Sequence, residues 1–178
     1  MSQGSGIMPQ ISDVQHLPAR GWLLRRRQLL FLARSSGGMR ITRNALRQLA
    51  VLTPEQLKSP GSSLLCAYLR TGQGLRIAGF CLALNYGEDA CIVIVRPLYR
   101  GRRLGARLLS AQLKQLRRLT CSVAADNMAS LKTCFRAGLI AHEMTTGPTG
   151  KPTLIFRGEL SEDEQTAEEG GMLCQNLS

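Results

Sequence analysis

The sequence predicts an α/β fold on a mixed, mostly antiparallel sheet, and three observations carry that reading. Residues 63–70, 75–85 and 90–95 are apolar, β-like runs separated by short glycine-bearing stretches at 71–74 and 86–89, the pattern of an antiparallel meander. The turn Tyr99-Arg100-Gly101 then opens a stretch from 103 to 118 where Leu104, Leu108, Ala111 and Leu116 keep rough helical spacing against Arg and Lys, as an amphipathic helix requires. Behind it, residues 119–125 read as a strand, 127–137 as a helix closed by Gly138, and 153–160 as a final strand.

The first third of the chain is less regular. Residues 1–20 are rich in Ser, Gly, Pro and Gln and are expected to form a poorly ordered lead-in. Residues 28–34 (QLLFLAR) read as a first strand, with a helix starting near Trp22 as the alternative. Residues 42–50 place Ala45, Leu46, Leu49 and Ala50 on one helical face. Thr53-Pro54 is an N-cap with proline in the first turn, which starts a second short helix ending near Lys58. No internal repeat is visible. Residues 21–160 form one expected domain, and residues 161–178 an acidic tail without periodicity, expected to be disordered.

Composition excludes several classes. The chain has 178 residues, 44% apolar and 20% charged, enough for one buried core and incompatible with wholesale disorder. Its apolar runs are short, the one at residues 29–33 following Arg25, Arg26 and Arg27, and all are far from the ~18 residues of a membrane span. Nothing at the start resembles a signal peptide, so a soluble, cytoplasmic protein without a membrane partner is expected. The net charge of +11 hides an asymmetry: residues 159–178 hold six acids and no Lys or Arg, which leaves +17 on the rest. Such a body attracts polyanions, nucleotides and nucleic acid among them, or simply stays soluble. The six cysteines contain no Cys-x-x-Cys, and His16 and His142 are isolated, so no metal site is expected. Five of the six lie in apolar segments, where free Cys behaves as a small hydrophobe in a reducing compartment.

The chemically informative stretch is Val95-Arg-Pro-Leu-Tyr-Arg-Gly-Arg-Arg-Leu-Gly-Ala-Arg107. A strand runs into a turn and then a helix whose start includes Gly101, Gly105 and Ala106. The first turn of a helix presents unpaired N–H groups and the positive end of its dipole, and so it cradles phosphate. Small residues let the backbone approach, and Arg100, Arg102, Arg103 and Arg107 add charge-assisted hydrogen bonds. A merely solvated basic helix start is the alternative.

This stretch resembles the GNAT superfamily of acyl-CoA-dependent N-acyltransferases, whose signature is Gln/Arg-x-x-Gly-x-Gly/Ala after a strand ending Val-x-Pro. Here the signature reads Arg100-Gly101-Arg102-Arg103-Leu104-Gly105. A second family element follows in order: Asn127-x-x-Ser130, then Phe135-Arg136-Ala137-Gly138-Leu139. The resemblance spans roughly residues 62–159. It implies a central sheet with helices on both faces and a fourth and fifth strand that splay apart to admit acetyl-CoA, with no metal. It also implies that Val93 and Val95 face the thioester and pantetheine, with an N–H near Val95 as oxyanion donor. In the same way Arg100, Gly101, Arg102, Arg103, Leu104, Gly105 and Ala106 would hold the pyrophosphate, and Asn127 and Ser130 would seat the pantetheine arm.

Two positions depart from the family pattern. Arg103 replaces the middle glycine, and Cys134 stands where many members carry a tyrosine that protonates the departing thiolate. A thiol of pKa near 8.5 can donate a proton, or Cys134 can be a small core residue. The implied reaction is direct attack of an amine on the thioester of acetyl-CoA. At pH 7 an amine of pKa about 10.4 must first lose a proton, at a cost of about 4–5 kcal/mol. Asp89, where many relatives place a glutamate, and its neighbour Glu88 are the candidate bases; an ordinary hairpin turn is the other reading of these two. His142 is a further base or a structural residue. The acceptor is not legible. Modification of a nucleic-acid base, a non-catalytic nucleic-acid-binding module on the same fold, and a homodimer stay open beside the acetyltransferase reading. Arg25–Arg27 and Lys114-Arg117-Arg118 would supply the phosphate contacts of that module.

Overall fold

A computed structural model describes residues 9–14, 19–37 and 41–161. The elements are β1 (Gln10–Asp13), α1 (Ala19–Gly37), α2 (Arg43–Val51), α3 (Pro54–Leu57), β2 (Ser63–Thr71), β3 (Gly74–Leu84) and β4 (Ala90–Val95). They continue with α4 (Leu104–Leu116), β5 (Arg118–Ala124), α5 (Met128–Arg136), β6 (Ile140–Thr146) and β7 (Pro152–Glu159). The strands form two antiparallel sheets, one in the order β1-β2-β3-β4 and the other in the order β5-β7-β6. The meander predicted over residues 63–95 is present, as are the helices behind Thr42, Thr53, Arg103 and Asn127.

Helices cover both faces of the first sheet. On one face Trp22, Leu29 and Leu32 of α1 and Leu49 of α2 pack on Leu64, Phe80, Leu82, Ile92 and Ile94. On the other, Leu104, Leu108, Leu109 and Leu113 of α4 pack on Leu65, Ala67, Cys81, Cys121 and Phe156. Burial from both sides explains why β2 and β3 read as nearly continuous apolar runs. In β4 the alternation is visible: Ala90, Ile92 and Ile94 face α1, while Cys91, Val93 and Val95 face the α4 side. Local chemistry sets the helix starts. Thr42 Oγ1 accepts the Ala45 N–H at 3.1 Å, and Thr53 and Gln56 form a reciprocal capping box ahead of Pro54.

Three elements depart from the expected order. Residues 28–34 are not a strand but the middle of α1, the alternative reading, because Trp22, Leu29, Leu32 and Ala33 form its buried face while Leu24 and Phe31 stay exposed. A short continuous apolar run cannot separate the two periods. The first strand is instead Gln10–Asp13, inside the segment expected to be a poorly ordered lead-in; its register against residues 65–68 of β2 supplies what its polar sequence does not signal. β6 is the third. All its residues but Ala141 are exposed, so it carries no core pattern and is defined by its ladder to β7. Residues 1–8 and 15–18 of the expected lead-in and 162–178 of the expected tail lie outside the described residues.

The two sheets meet at the turn between β3 and β4. Asn85, Tyr86 and Gly87 all adopt left-handed φ, at 49°, 55° and 89°. The Arg118 guanidinium lies 3.8 Å over the Tyr86 ring, and a Cβ at Gly87 would collide with the Thr120 carbonyl of β5. Both the φ and the close approach demand glycine there. Gly87→Ala should therefore lower stability by about 3 kcal/mol in urea unfolding. Gly72→Ala, in open space at the preceding turn, should stay within about 0.5 kcal/mol. Equal effects would show that the contact with β5 is not under strain.

Candidate active site

β4 and β5 are both sheet edges, and among the described residues no ladder joins them. The Arg96 N–H bonds Ala78 O of β3 at 2.9 Å. Because backbone direction alternates along a strand, the polar groups of Ile94 and Ile92 also turn toward β3. Those of Val95 and Val93 turn the other way, into the gap beside β5. This is the side on which the Val95 carbonyl accepts Arg100 Nε at 3.2 Å.

The loop after β4 is built to leave a helix start bare. Residues Pro97–Tyr99 form a single 3-10 turn, closed by Tyr99 N–H to Arg96 O at 2.9 Å. Arg100 pins the loop from outside, donating from Nε to Val95 O and from Nη2 to Ser36 O at the end of α1. Gly101, at φ 77°, has open space where a side chain would stand. Arg103 is the N-cap of α4 in left-handed conformation (φ 57°, ψ 13°), and no side chain caps the helix. The N–H groups of Leu104, Gly105 and Ala106 thus lack intrahelical partners at the positive end of a helix of 13 residues. The Leu104 and Ala106 side chains are buried, so these residues offer backbone to this site, while Arg102 and Arg103 are exposed.

Cations line α4 from its start to its last turn. A cavity of about 520 Å³ is lined by Arg103, Ala106, Arg107, Ser110 and Lys114 of the α4 stretch and by Arg136 of α5. Arg107 also reaches the Pro9 carbonyl at 3.4 Å. Sequence reasoning overlooked Arg136 as a cationic wall. The stripe Arg103, Arg107, Ser110, Lys114 has helical spacing that could have revealed one wall, but nothing local ties Arg136 to it. Across the gap, Asn127 caps α5, accepting the Ser130 N–H at 3.3 Å. A Cβ at Gly105 would meet Thr133 of α5 at 3.4 Å and Val95 at 3.7 Å, which places Gly105 between the end of β4 and α5.

The residues expected to do chemistry are dispersed. Glu88 and Asp89 are exposed in the turn before β4, about 20 Å along the strand from Val95 at ~3.3 Å per residue. The loop after β4 and the carboxylates therefore bracket the strand from opposite ends. Cys134 is 3% exposed and packs in the core with Cys121, whose thiol it hydrogen-bonds. His142 is exposed at a bulge in β6, two strands away from the β4–β5 gap. Among the described residues, no group of three or more His, Cys, Asp or Glu could hold a metal ion, and no helix is long and apolar enough to cross a membrane.

An edge strand that runs into a bare, arginine-rich helix start is a geometry suited to a phosphorylated ligand. The chain belongs to the GNAT acetyltransferase family: the sequence profile of the "Acetyltransferase (GNAT) family" matches residues 33–138, more than half of it. It is an acyl-CoA-dependent acetyltransferase with acetyl-CoA as co-substrate. A GNAT-family acetyltransferase from Streptococcus pneumoniae superposes with a TM-score of 0.62 at 16% identity, over 85% of this chain and 99% of that one. The aminoglycoside acetyltransferase AAC(6')-Ib, solved with coenzyme A and kanamycin, gives 0.60 at 14% over 89% and 99%. The NatC complex bound to Gag peptide and CoA gives 0.61 at 13% over 86% and 99%. At these identities the likeness is one of fold. No curated protein matches in sequence.

Arg103 now has a physical reading, since the family's glycine stands where the backbone is left-handed. A non-glycine residue there costs about 1–2 kcal/mol, and glycine returns part of that as unfolded-state entropy. Arg103→Gly should raise Tm by about 1–4 °C for a net gain of about 0.5–1 kcal/mol. A fall in Tm would mean that the Arg103 side chain contributes more by contact than its backbone costs.

Proposed function

We propose that the protein transfers the acetyl group of acetyl-CoA to an amine by direct attack on the thioester. The uncapped start of α4, from which Arg103 and Arg107 open a basic groove shared with Arg136, carries this reading. In it, the N–H groups of Leu104, Gly105 and Ala106 bind the pyrophosphate, helped by the open backbone at Gly101 and by the Arg102 and Arg103 side chains. Arg100 acts by holding the loop against Val95 and Ser36. The outward N–H groups of Val93 and Val95 bind the pantetheine and polarise the thioester carbonyl. Asn127 and Ser130 position the arm from the β5 side.

The attacking amine passes its proton along a chain of waters in the gap to Asp89, with Glu88 as its neighbour, ahead of β4. Cys134, buried against Cys121, serves packing, and the departing thiolate takes its proton from solvent. The acceptor is an amine, and the exposed carboxylates ahead of β4 favour a cationic amine before its proton is lost.

Acetyl-CoA at 100 times its Kd should stabilise the chain by about 2.7 kcal/mol, or about 5–11 °C in Tm. Gly105→Glu drives a carboxylate between Val95 and Thr133, beside the pyrophosphate, and should abolish that shift while the protein still folds. No shift for the parent at millimolar acetyl-CoA would sink the proposal and favour a nucleic-acid-binding module. Asp89→Asn should lower CoA-thiol release with an amine acceptor about ten-fold or more at pH 7 and less at pH 9, with acetyl-CoA affinity kept. A profile unchanged between pH 6.5 and 9 would remove Asp89 from the mechanism. Cys134→Ala should cost about 1 kcal/mol of stability and keep the maximal rate; a ten-fold loss of rate would restore it as the acid.

A further inference from the structure

We propose that Cys91 and Cys121 form a reversible intramolecular disulfide that ties β4 to β5 when the protein meets a peroxide. The two sulfurs lie 3.1 Å apart, on strands that no ladder joins. A bond of about 2.05 Å asks for about 1 Å of further approach, within reach of side-chain rotation. The pair sits at the end of the gap closed by the Gly87–Thr120 contact, away from the α4 helix start. Among the described cysteines Cys91 alone is partly exposed; Cys66, Cys81, Cys121 and Cys134 are buried.

The surroundings select both the pair and the order of events. Cys121 and Cys81 both direct hydrogen bonds at the Cys91 sulfur, which hold its thiol below the usual range against the opposing effect of burial. Cys121 is held above that range by its bonds with Cys134 and Cys91, and Cys81 by its bond with Cys91 and by burial. The reactive thiolate is therefore Cys91, the more accessible one. Cys81 is the wrong partner for it. In the β3–β4 register Cys81 stands opposite Val93 and Cys91 opposite Ala83, so their backbone positions lie ~7–8 Å apart on the diagonal, which lets the thiols touch but does not let a disulfide close without moving the strands. Cys134 lies against Cys121 on the buried side, so it competes for Cys121 without reaching the oxidised sulfur.

The chemistry balances with a hydroperoxide as oxidant. The Cys91 thiolate attacks the O–O bond, giving a sulfenic acid and hydroxide. The Cys121 thiol yields its proton to that hydroxide, its sulfur attacks the Cys91 sulfur, the S–O bond breaks, and the oxygen leaves as hydroxide that takes up the proton Cys91 gave to solvent on ionising, which makes the second water. Two thiols lose two electrons, and hydrogen peroxide becomes two waters. A dithiol reductant reverses the step. The loop closed by the bond is the β4–α4–β5 crossover itself, which carries the bare helix start.

The test uses the full chain, reduced and then treated with one equivalent of hydrogen peroxide. Cleavage with trypsin and a Glu-specific protease separates Cys81 from Cys91 at Glu88, and Cys121 from Cys134 at Lys132. The expected result is a Cys91–Cys121 linked peptide under non-reducing conditions, a loss of 2 Da, and a Tm about 5–10 °C above that of the reduced chain. Dithiothreitol should restore both mass and Tm. Cys91→Ser and Cys121→Ser should each abolish the rise in Tm. A linkage mapped to Cys121–Cys134 or to Cys81, or oxidation of Cys91 to sulfinic acid without a bridge, would overturn the proposal. The peptide map of the parent decides this even if a variant fails to fold.

Discussion

Two strand edges that face each other without pairing set the terms for everything else in this protein. Backbone N–H and C=O groups are costly to leave without partners, and β4 and β5 each turn an edge into the same gap. The gap stays unpaired because the strands are fixed elsewhere. β4 is bound to β3 through six register pairs, and β5 to β7 through seven. At one end the Asn85–Gly87 turn presses on β5; at the other, the first turn of α4 stands between Val95 and Thr133. The polar edge of Val93 and Val95 is therefore available to a ligand with an amide-bearing arm, which is the chemical character of pantetheine.

The helix start at the open end follows from the same arrangement. A chain leaving β4 must turn sharply to send α4 back along the sheet, and it does so through left-handed residues at Gly101 and Arg103. That geometry denies α4 a side-chain cap and leaves its first N–H groups to whatever anion arrives. Positive charge lines α4 from this start onward, because Arg136 arrives from α5 to share a groove with Arg103, Arg107 and, in the last turn, Lys114. Arg100 lies within the same basic run yet ties the loop to Val95 and Ser36. Neighbours in sequence thus have different work.

The buried thiols show how a composition that looks merely hydrophobic acquires chemistry by assembly. Cys81, Cys91, Cys121 and Cys134 come from β3, β4, β5 and α5, and each alone is the small core residue that its apolar segment suggests. Together they hydrogen-bond one another, which separates one thiolate-favouring sulfur from its thiol neighbours. Cys66, on the opposite face of the first sheet, has no such role: burial pushes its thiol up to about 11.

Periodicity and turn chemistry by themselves determined the meander over residues 63–95, the capped helices behind Thr42, Thr53 and Asn127, and the arginine-rich turn that opens a helix at residues 100–106. Each of these is encoded within one or two turns of chain, where apolar spacing, a capping oxygen or a small residue acts on its near neighbours. β1 and β6 were invisible because an edge strand with exposed side chains takes its conformation from a ladder partner, not from its own pattern. The ambiguity at residues 28–34 was resolved only when α1 found a sheet to cover with Trp22, Leu29 and Leu32. The direction of the Val93 and Val95 amides, the meeting of Arg136 with the α4 stripe and the contact of Cys91 with Cys121, 30 residues away, belong to tertiary structure alone. They arise from pairing and packing between distant segments, whose register no local window of sequence contains.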